Sequence, residues 1–486
     1  MPPCETGRLW ALQVPGALIR QAAMSGFDEF RSKMECAGVR EAAIGAFERS
    51  YGKLVGPETG TIPEGEIEPA AGLPRCGGGE GDFDPALLAQ TVLIKLNGGL
   101  GTSMGLQKAK SLLPVKEDAT FLDIIARQIL ALRERTGASV RFLLMNSFST
   151  SADTLAHLGR YAADGLAAAA EVELMQNQVP KVDAATLGPA GWPADPELEW
   201  CPPGHGDLYP ALSGSGWLDA LLERGVKYAF VSNSDNLGAV LAAELLSYFA
   251  ASGAPFLMEA TRRTAIDRKG GHLAVRRADR QLVLREVAQC PEGDLESFQD
   301  ISRHRFFNTN NLWLRLDVLK EVLEANGGVL PLPMICNRKT VDPRDKGSTP
   351  VFQLETAMGA AIECFQGAAA VEVPRSRFAP VKAASDLFAL RSDAYALGDD
   401  GCIRLVPARN GVVPVVKLSD HYKLVDSLAN LGMPSLVGIR NLTIDGPVEF
   451  APGVVLEGDV TLVNKGTTPI RIEAGTIRDE ERVLGN

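Results

Sequence analysis

Between Leu88 and Val381 the chain alternates short aliphatic or β-branched runs with amphipathic segments of helical period. Val92, Leu93, Ile94 and Leu96 form one such run, interrupted only by Lys95. Phe142–Leu143–Leu144–Met145, Tyr228–Ala229–Phe230–Val231 and Phe256–Leu257–Met258 form others. Between them Thr120 is placed to cap a helix running through Leu132, and Gly216 to Arg224 and Ala239 to Ala250 read as helices. Strands alternating with helices predict an α/β fold with a doubly wound, mostly parallel sheet, whose ligands lie beyond the carboxyl ends of the strands. That rule selects Asn97–Gly98–Gly99, Asn146–Ser147, Asn233–Ser234–Asp235 and Glu259, nearly all of them polar.

The two flanks follow other patterns. Gly26 to Leu54 is helical in period and rich in Ala, and a Pro/Gly/Glu-rich stretch follows through Gly81, with disorder expected near Cys76 to Gly81. This segment reads as a helix capping a catalytic domain. From Leu436 apolar and polar residues alternate in short runs broken by Gly, Pro and Asn, as in Leu436–Val437–Gly438–Ile439 and Val454–Val455–Leu456–Glu457. Such repetition suits a parallel β-helix stack or an ordinary antiparallel sheet. The expected division is 1–87, an N-terminal helical segment and linker; 88–400, a catalytic domain; and 401–486, a β-rich C-terminal domain.

With 486 residues the chain is long enough for two or three domains. Its formal charge of −11 argues against a nucleic-acid surface or a polybasic membrane contact, and no apolar stretch is long enough to span a bilayer. The opening Met1 to Trp10 lacks the pattern of a targeting segment. The eight cysteines are scattered without C-x-x-C spacing, which points to reduced thiols in a cytoplasmic protein rather than to a zinc site or disulfides.

The strand at Val92 opens into Gly98, Gly99, Gly101 and Gly105, and a loop of this composition lets backbone N–H groups surround phosphate oxygens. It is not a mononucleotide P-loop, because Gly105 is followed by Leu106 and Gln107. Nor is it a dinucleotide loop, because Met104 stands where the third glycine belongs. Lys108 and Lys110 follow closely enough to fold back on an anion; the alternative is that both are solvated, which is the accepted reading for Lys108. Asp235 is placed to hold a hard cation such as Mg²⁺ beside phosphates, or else to cap the next helix. Pro202–Pro203–Gly204–His205–Gly206 is a stiff loop that holds an imidazole forward. Gln178 can pair with an amide-like base edge, and the Asn-rich stretch Phe307 to Trp313 offers the donors and acceptors that sugar hydroxyls require. Arg375, Arg377 and Lys382 concentrate positive charge in an acidic chain, and Gln353 to Ala357, just before them, reads as a structural helix.

Leu96 to Gly105 followed by Lys110–Ser111 resembles the nucleotide-binding signature of the eukaryotic-type UTP:glucose-1-phosphate uridylyltransferase family. Further resemblances are Pro202–Pro203–Gly204–His205–Gly206–Asp207, Asn233–Ser234–Asp235–Asn236, Phe307 to Trp313, Gln353 to Ala357 and Val373 to Lys382, all in the expected order. The likeness runs from about Leu93 to the C-terminus. Its departures are the glycine-rich N-terminal linker, Leu106 to Ala109, and the loop Val179–Pro180–Lys181–Val182.

The resemblance implies a Rossmann-like nucleotidyltransferase core, tips the C-terminal pattern towards a left-handed parallel β-helix, and implies synthesis of UDP-glucose and pyrophosphate from UTP and glucose 1-phosphate with Mg²⁺. Carried over residue by residue, it assigns nucleotide contacts to Leu96, Asn97, Gly98, Gly99, Lys110, Gln178, Gly204 and Lys382, with Gln178 reading uracil. Sugar-phosphate contacts fall to Gly98, Gly99, His205, Asn233, Ser234 and Asp235, and sugar hydroxyls to Asn310 and Glu259. Lys110 and Lys382 become the catalytic cations and Asp235 the metal ligand. Two other readings stand beside it: a pyrophosphorylase for N-acetylhexosamine or a broad range of sugars, although that relative carries Gly-Thr-Arg where this chain has Thr102–Ser103, and a silent nucleotide-sugar sensor. Assembly into a homo-oligomer through the C-terminal domain is the expected partnership, with neither nucleic acid nor membrane.

Overall fold

The computed structural model describes residues 26–56, 60–77 and 82–485. Its α/β core is built on a mixed sheet of ten strands. Tyr228–Asn233, Thr91–Asn97, Arg141–Asn146 and Glu173–Met175 lie side by side in parallel. The other half of the sheet, organised around the long strand Phe306–Arg315, is largely antiparallel. Along Thr91–Asn97 alternate side chains enter two different cores. Leu93 meets Phe142 and Leu144 on one face, and Val92 and Ile94 meet Leu143 and Met145 on the other. Burial on both faces explains an unbroken apolar run rather than an alternating one.

Lys95 is buried in this run, and its ammonium donates to Ser232 Oγ (2.8 Å) and Ala239 O (2.7 Å). The second of these bonds bears on a corrected boundary: the helix expected from Ala239 begins only at Ala243. The carbonyls of Ala239 and Val240 are taken by Lys95 and Arg377 instead of entering a helical ladder. The helix after Thr120 runs over Phe121–Thr136, opened by a reciprocal Thr120–Asp123 capping box and closed by Gly137 at φ +67°. Phe256–Arg262 continues four residues past the expected end, so Glu259 lies inside a strand.

The N-terminal helices Phe27–Cys36 and Glu41–Val55 pack Phe27, Phe30, Phe47 and Tyr51 into an aromatic cluster with Val179, Val182, Cys201 and Leu354. They therefore buttress the segments that carry the histidine loop. Ile67–Pro69, within the stretch read as linker, pairs with His272–Arg276 as an edge strand of the main sheet. Cys76, expected in a disordered stretch, is buried, and its N–H donates to Glu372 O at 3.0 Å; residues 78–81 of that stretch lie outside the described residues. Gln353 to Ala357 is not a helix. Pro350–Thr356 is a strand paired with Met334–Thr340, and period-two alternation sends Leu354 into the aromatic cluster and Glu355 to the opposite side.

Beyond helix Ala384–Arg391 the strands Val415–Leu418, Ser435–Asp445, Val454–Asn464 and Gly475–Leu484 form one sheet, and Val448–Phe450 with Ile470–Ile472 a second. Every pairing in both is parallel, so the antiparallel alternative is excluded for this region. Leu436, Ile439, Leu442, Ile444, Leu456, Val460 and Leu462 fill its interior, which is continuous with the core around Val381 and Leu387. Among the described residues no helix is long and apolar enough to cross a membrane.

Candidate active site

The carboxyl ends of the parallel strands open onto a cavity of about 370 Å³. Leu96, Gly98, Gly99 and Lys110 form one wall, Asn233, Ser234 and Asp235 the next, and Pro202, Gly204 and His205 a third, with Met145, Gln176 and Glu355 completing it. Gly98 is needed for closeness: a Cβ there would stand 2.6 Å from Gln176 Oε1. Its carbonyl accepts from Ser147 Oγ at 2.9 Å. The amides of Gly98 and Gly99 meet no protein acceptor among the described residues, as a phosphate-binding loop requires. Lys108 is exposed, whereas Lys110 turns inwards.

Lys110 Nζ lies 2.7 Å from Asp235 Oδ2 and also donates to Val381 O. Asp235 Oδ1 is buried and accepts no hydrogen bond. An unsatisfied buried acceptor costs about 1–3 kcal/mol, and a hard cation relieves that cost. Among the described residues no cluster of three or more Asp, Glu, His or Cys could form a complete cage for a metal ion. The donor set thus fits an ion such as Mg²⁺, which binds through one or two carboxylates together with substrate phosphates and water.

The histidine loop is held by the strand behind it. Gly204 adopts φ +80°, where a Cβ would meet Thr356 O at 2.5 Å, and Thr356 N donates to Pro203 O at 2.9 Å. Met358 N donates to His205 Nδ1 at 3.0 Å. A backbone N–H only donates, so Nδ1 is the acceptor and the neutral ring carries its proton on Nε2. Burial, helped by the Lys382 charge, pushes the imidazole down to about 4 and keeps it neutral. Gln176 Nε2 donates to Gly204 O at 3.0 Å, and Asp207 takes both the N–H and the side-chain amide of Asn177. Two adjoining segments are thereby locked together.

The sequence profile of the family described as UTP--glucose-1-phosphate uridylyltransferase matches residues 59–457. A relative of that name from Solanum tuberosum is 40% identical over 411 residues, covering 83% of each chain. Another from Saccharomyces cerevisiae is 42% identical over 402 residues, 82% of this chain and 79% of its own. A mutant UDP-glucose pyrophosphorylase from Leishmania major, solved in complex with UDP-Glc, superposes with a TM-score of 0.89 at 47% identity, over 94% of this chain and 99% of that one. The chain belongs to the UTP–glucose-1-phosphate uridylyltransferase family.

Within this uridylyltransferase fold the expected residues divide. Leu96, Gly98, Gly99, Lys110, Gly204, His205, Asn233, Ser234 and Asp235 meet at the cavity. Asn97 stands behind it, buried, donating to Asn146 Oδ1 (2.8 Å) and Thr154 Oγ1 (3.0 Å). Gln178 is half-buried and does not line the cavity; Gln176 does. Asn310 sits half-buried at φ +59° within the bulge where Phe306–Arg315 passes Phe256–Arg262. Lys382 is exposed, with no partner for its ammonium among the described residues, yet it is close enough for its charge to reach both His205 and Glu286.

Glu259 departs most from its assignment. It is fully buried, and each of its oxygens accepts two hydrogen bonds: Oε1 from Trp313 Nε1 (2.9 Å) and Arg377 Nη2 (2.8 Å), Oε2 from Asn311 Nδ2 (3.0 Å) and Arg377 Nε (2.7 Å). No lone pair is left for a sugar hydroxyl.

Three residues escaped the sequence reading. Gln176 directly follows the parallel strand Glu173–Met175, so the strand-end rule would have found it had that short strand been recognised; Glu286, after Leu282–Arg285, does not line the cavity but is close enough to feel the Lys382 charge. Burial pushes the Glu286 carboxyl up, against the pull of Lys382. Glu355 was hidden by the helical reading of its segment.

Proposed function

We propose that the protein transfers the uridylyl group of UTP to α-D-glucose 1-phosphate, releasing pyrophosphate. A phosphate oxygen of the sugar attacks the α-phosphorus of UTP, and the bond from that phosphorus to the bridging oxygen of the β-phosphate breaks. Sugar phosphates have a second pKa near ~6, so the nucleophile is largely dianionic at neutral pH and needs no protein base. Catalysis then consists of alignment and charge neutralisation. The amides of Gly98 and Gly99, Lys110 and Lys382 supply fixed positive charge to the phosphates, and His205 donates Nε2–H without adding charge. Asp235 Oδ1 would hold Mg²⁺, which when bound neutralises phosphate charge. Gln176, fixed by Gly204 on one side, has the geometry to read the edge of uracil, the role first expected of Gln178. Asn233 and Asn310 remain the candidates for the sugar.

The observation that carries this reading is the Lys110–Asp235 pair, with its unsatisfied carboxylate oxygen beside free glycine amides. The test is pyrophosphate release from UTP with Mg²⁺, with and without EDTA, using glucose 1-phosphate and N-acetylglucosamine 1-phosphate in parallel. Metal-dependent release with glucose 1-phosphate is the expected outcome. Nucleotide binding without release from either sugar would favour a silent sensor.

The same reading takes 88–400 as the catalytic domain and 1–87 as its N-terminal support. It takes 401–486 as a left-handed β-helix through which the protein forms a homo-oligomer in the cytoplasm. Parallel pairing throughout residues 435–484 supports the β-helix. Sedimentation of the full chain against one truncated before Ser435 tests the assembly.

A further inference from the structure

The segment from Arg375 to Lys382 is fastened to the sheet far more thoroughly than an ordinary loop. Arg377, only 4% exposed, forms the two-pronged pair with Glu259 and donates to Val240 O at 3.0 Å. Its own carbonyl accepts from Asn236 Nδ2 (3.0 Å) and Asn311 Nδ2 (3.2 Å). Asn236 Oδ1 accepts from Ala379 N at 3.0 Å, and Asp235 O accepts from Val381 N at 3.2 Å. Gly238 allows the backbone to press against Ser376, since a Cβ there would strike its carbonyl. The strand register shifts between Met258 and Ala260, beside Glu259, and bulges of this kind re-aim a side chain. Just past the last of these fastenings come the Val381 carbonyl, which takes Lys110, and Lys382.

We propose that the buried Glu259–Arg377 pair is a positioning device for the reaction, holding residues 377–382 so that Lys382 is presented to the phosphates. The inference rests on the reading of Lys382 given above. Glu259 and Arg377 touch no substrate; they act through Lys382. A charged pair with every lone pair satisfied, at the root of a segment whose tip carries an unpartnered ammonium, fixes the direction of that ammonium without neutralising it. Catalytic groups need placement to within a fraction of an ångström, and neighbouring packing supplies it.

The test is a double-mutant cycle on kcat, measured by pyrophosphate release. It compares the natural chain, Lys382→Ala, the combined Glu259→Gln with Arg377→Met, and all three changes together. The combined change removes both charges at once, so that neither member of the pair is left buried without the other. We expect it to lower kcat by about 30-fold in the natural chain but by less than about threefold in the Lys382→Ala background, because residues acting as one unit are not additive. KM for glucose 1-phosphate should stay within about twofold, since no hydrogen bond to the sugar is lost.

Equal factors in both backgrounds would make the pair merely structural and overturn the proposal, as would natural turnover in the combined variant. A large rise in KM for glucose 1-phosphate would return Glu259 to the sugar and overturn it as well. Unchanged turnover in Lys382→Ala alone would overturn the reading of Lys382 and this inference with it. A slow Lys382→Ala combined with equal factors would overturn only the inference. Because the combined variant can fail to fold, the same cycle is run with Asn236→Ala, which removes the fastenings to Arg377 O and Ala379 N and is expected to give the same non-additivity.

Discussion

Asp235 follows the strand Tyr228–Asn233 and Glu259 lies in the next strand of the chain, Phe256–Arg262, and from sequence both look like carboxylates at a strand end. In the folded chain they are opposites. Asp235 has a side chain 18% exposed, one lysine partner and a buried oxygen with nothing to accept from. Glu259 is fully buried and accepts four hydrogen bonds, two of them from one guanidinium. The first is an unfinished site and the second a finished joint. Unsatisfied valence, more than charge or position along a strand, separates a group that receives a ligand from one that holds the chain together.

The sharpest way to break this comparison is to remove each carboxylate in turn. Glu259→Ala strands a buried arginine and should cost roughly 3–5 kcal/mol in urea unfolding; a loss below ~1 kcal/mol would deny it an anchoring role. Asp235→Asn should lower turnover about 10²- to 10³-fold. It should lower the thermal midpoint far less than Glu259→Ala does, because the amide keeps an oxygen to accept from Lys110 and the oxygen it replaces accepted no hydrogen bond. A stability loss as large as that of Glu259→Ala would erase the distinction.

His205 extends the comparison to protons. Its folded pKa of about 4 lies below the ordinary 6.5. Within that window the unfolded chain binds a proton that the folded chain does not, so His205 makes stability fall as the pH drops from 6.5 towards 4, by at most about 1.4 kcal/mol per pH unit. His205→Gln, which keeps an acceptor for Met358 N, should flatten that slope in denaturant titrations. An unchanged slope would mean the ring is not held neutral.

The smallest effect separates two glutamines. Gln176→Ala should raise KM for UTP by up to about tenfold, as expected for one neutral hydrogen bond, whereas Gln178→Ala should change it by less than about twofold. Equal effects would return uracil to Gln178.

Much of the fold was legible because the parallel strands are buried on both faces and their ends are polar. The run Val92 to Leu96 and the polar ends at Gly98 and Asp235 needed no knowledge of distant residues. Glu259 did. Whether a carboxylate in Met258–Glu259–Ala260–Thr261 ends a strand or is sealed within it depends on Trp313 and Arg377, 54 and 118 residues further on. Gln353 to Ala357 failed for a different reason: so short a segment, with Leu354 and Ala357 three apart, fits a helical period as readily as a strand, and only pairing with Met334–Thr340 settled it. The C-terminal alternation was likewise ambiguous, since parallel and antiparallel strands share the period of two.

The bond from Lys110 to the carbonyl of Val381 joins positions 271 residues apart. This corner of the cavity is therefore among the last parts of the catalytic unit to be completed on the ribosome. A nascent chain ending between residues 236 and 380 carries the glycine loop, the histidine loop and Asp235, but neither the Val381 carbonyl nor Lys382. The corner therefore closes only once nearly four-fifths of the polypeptide has been made.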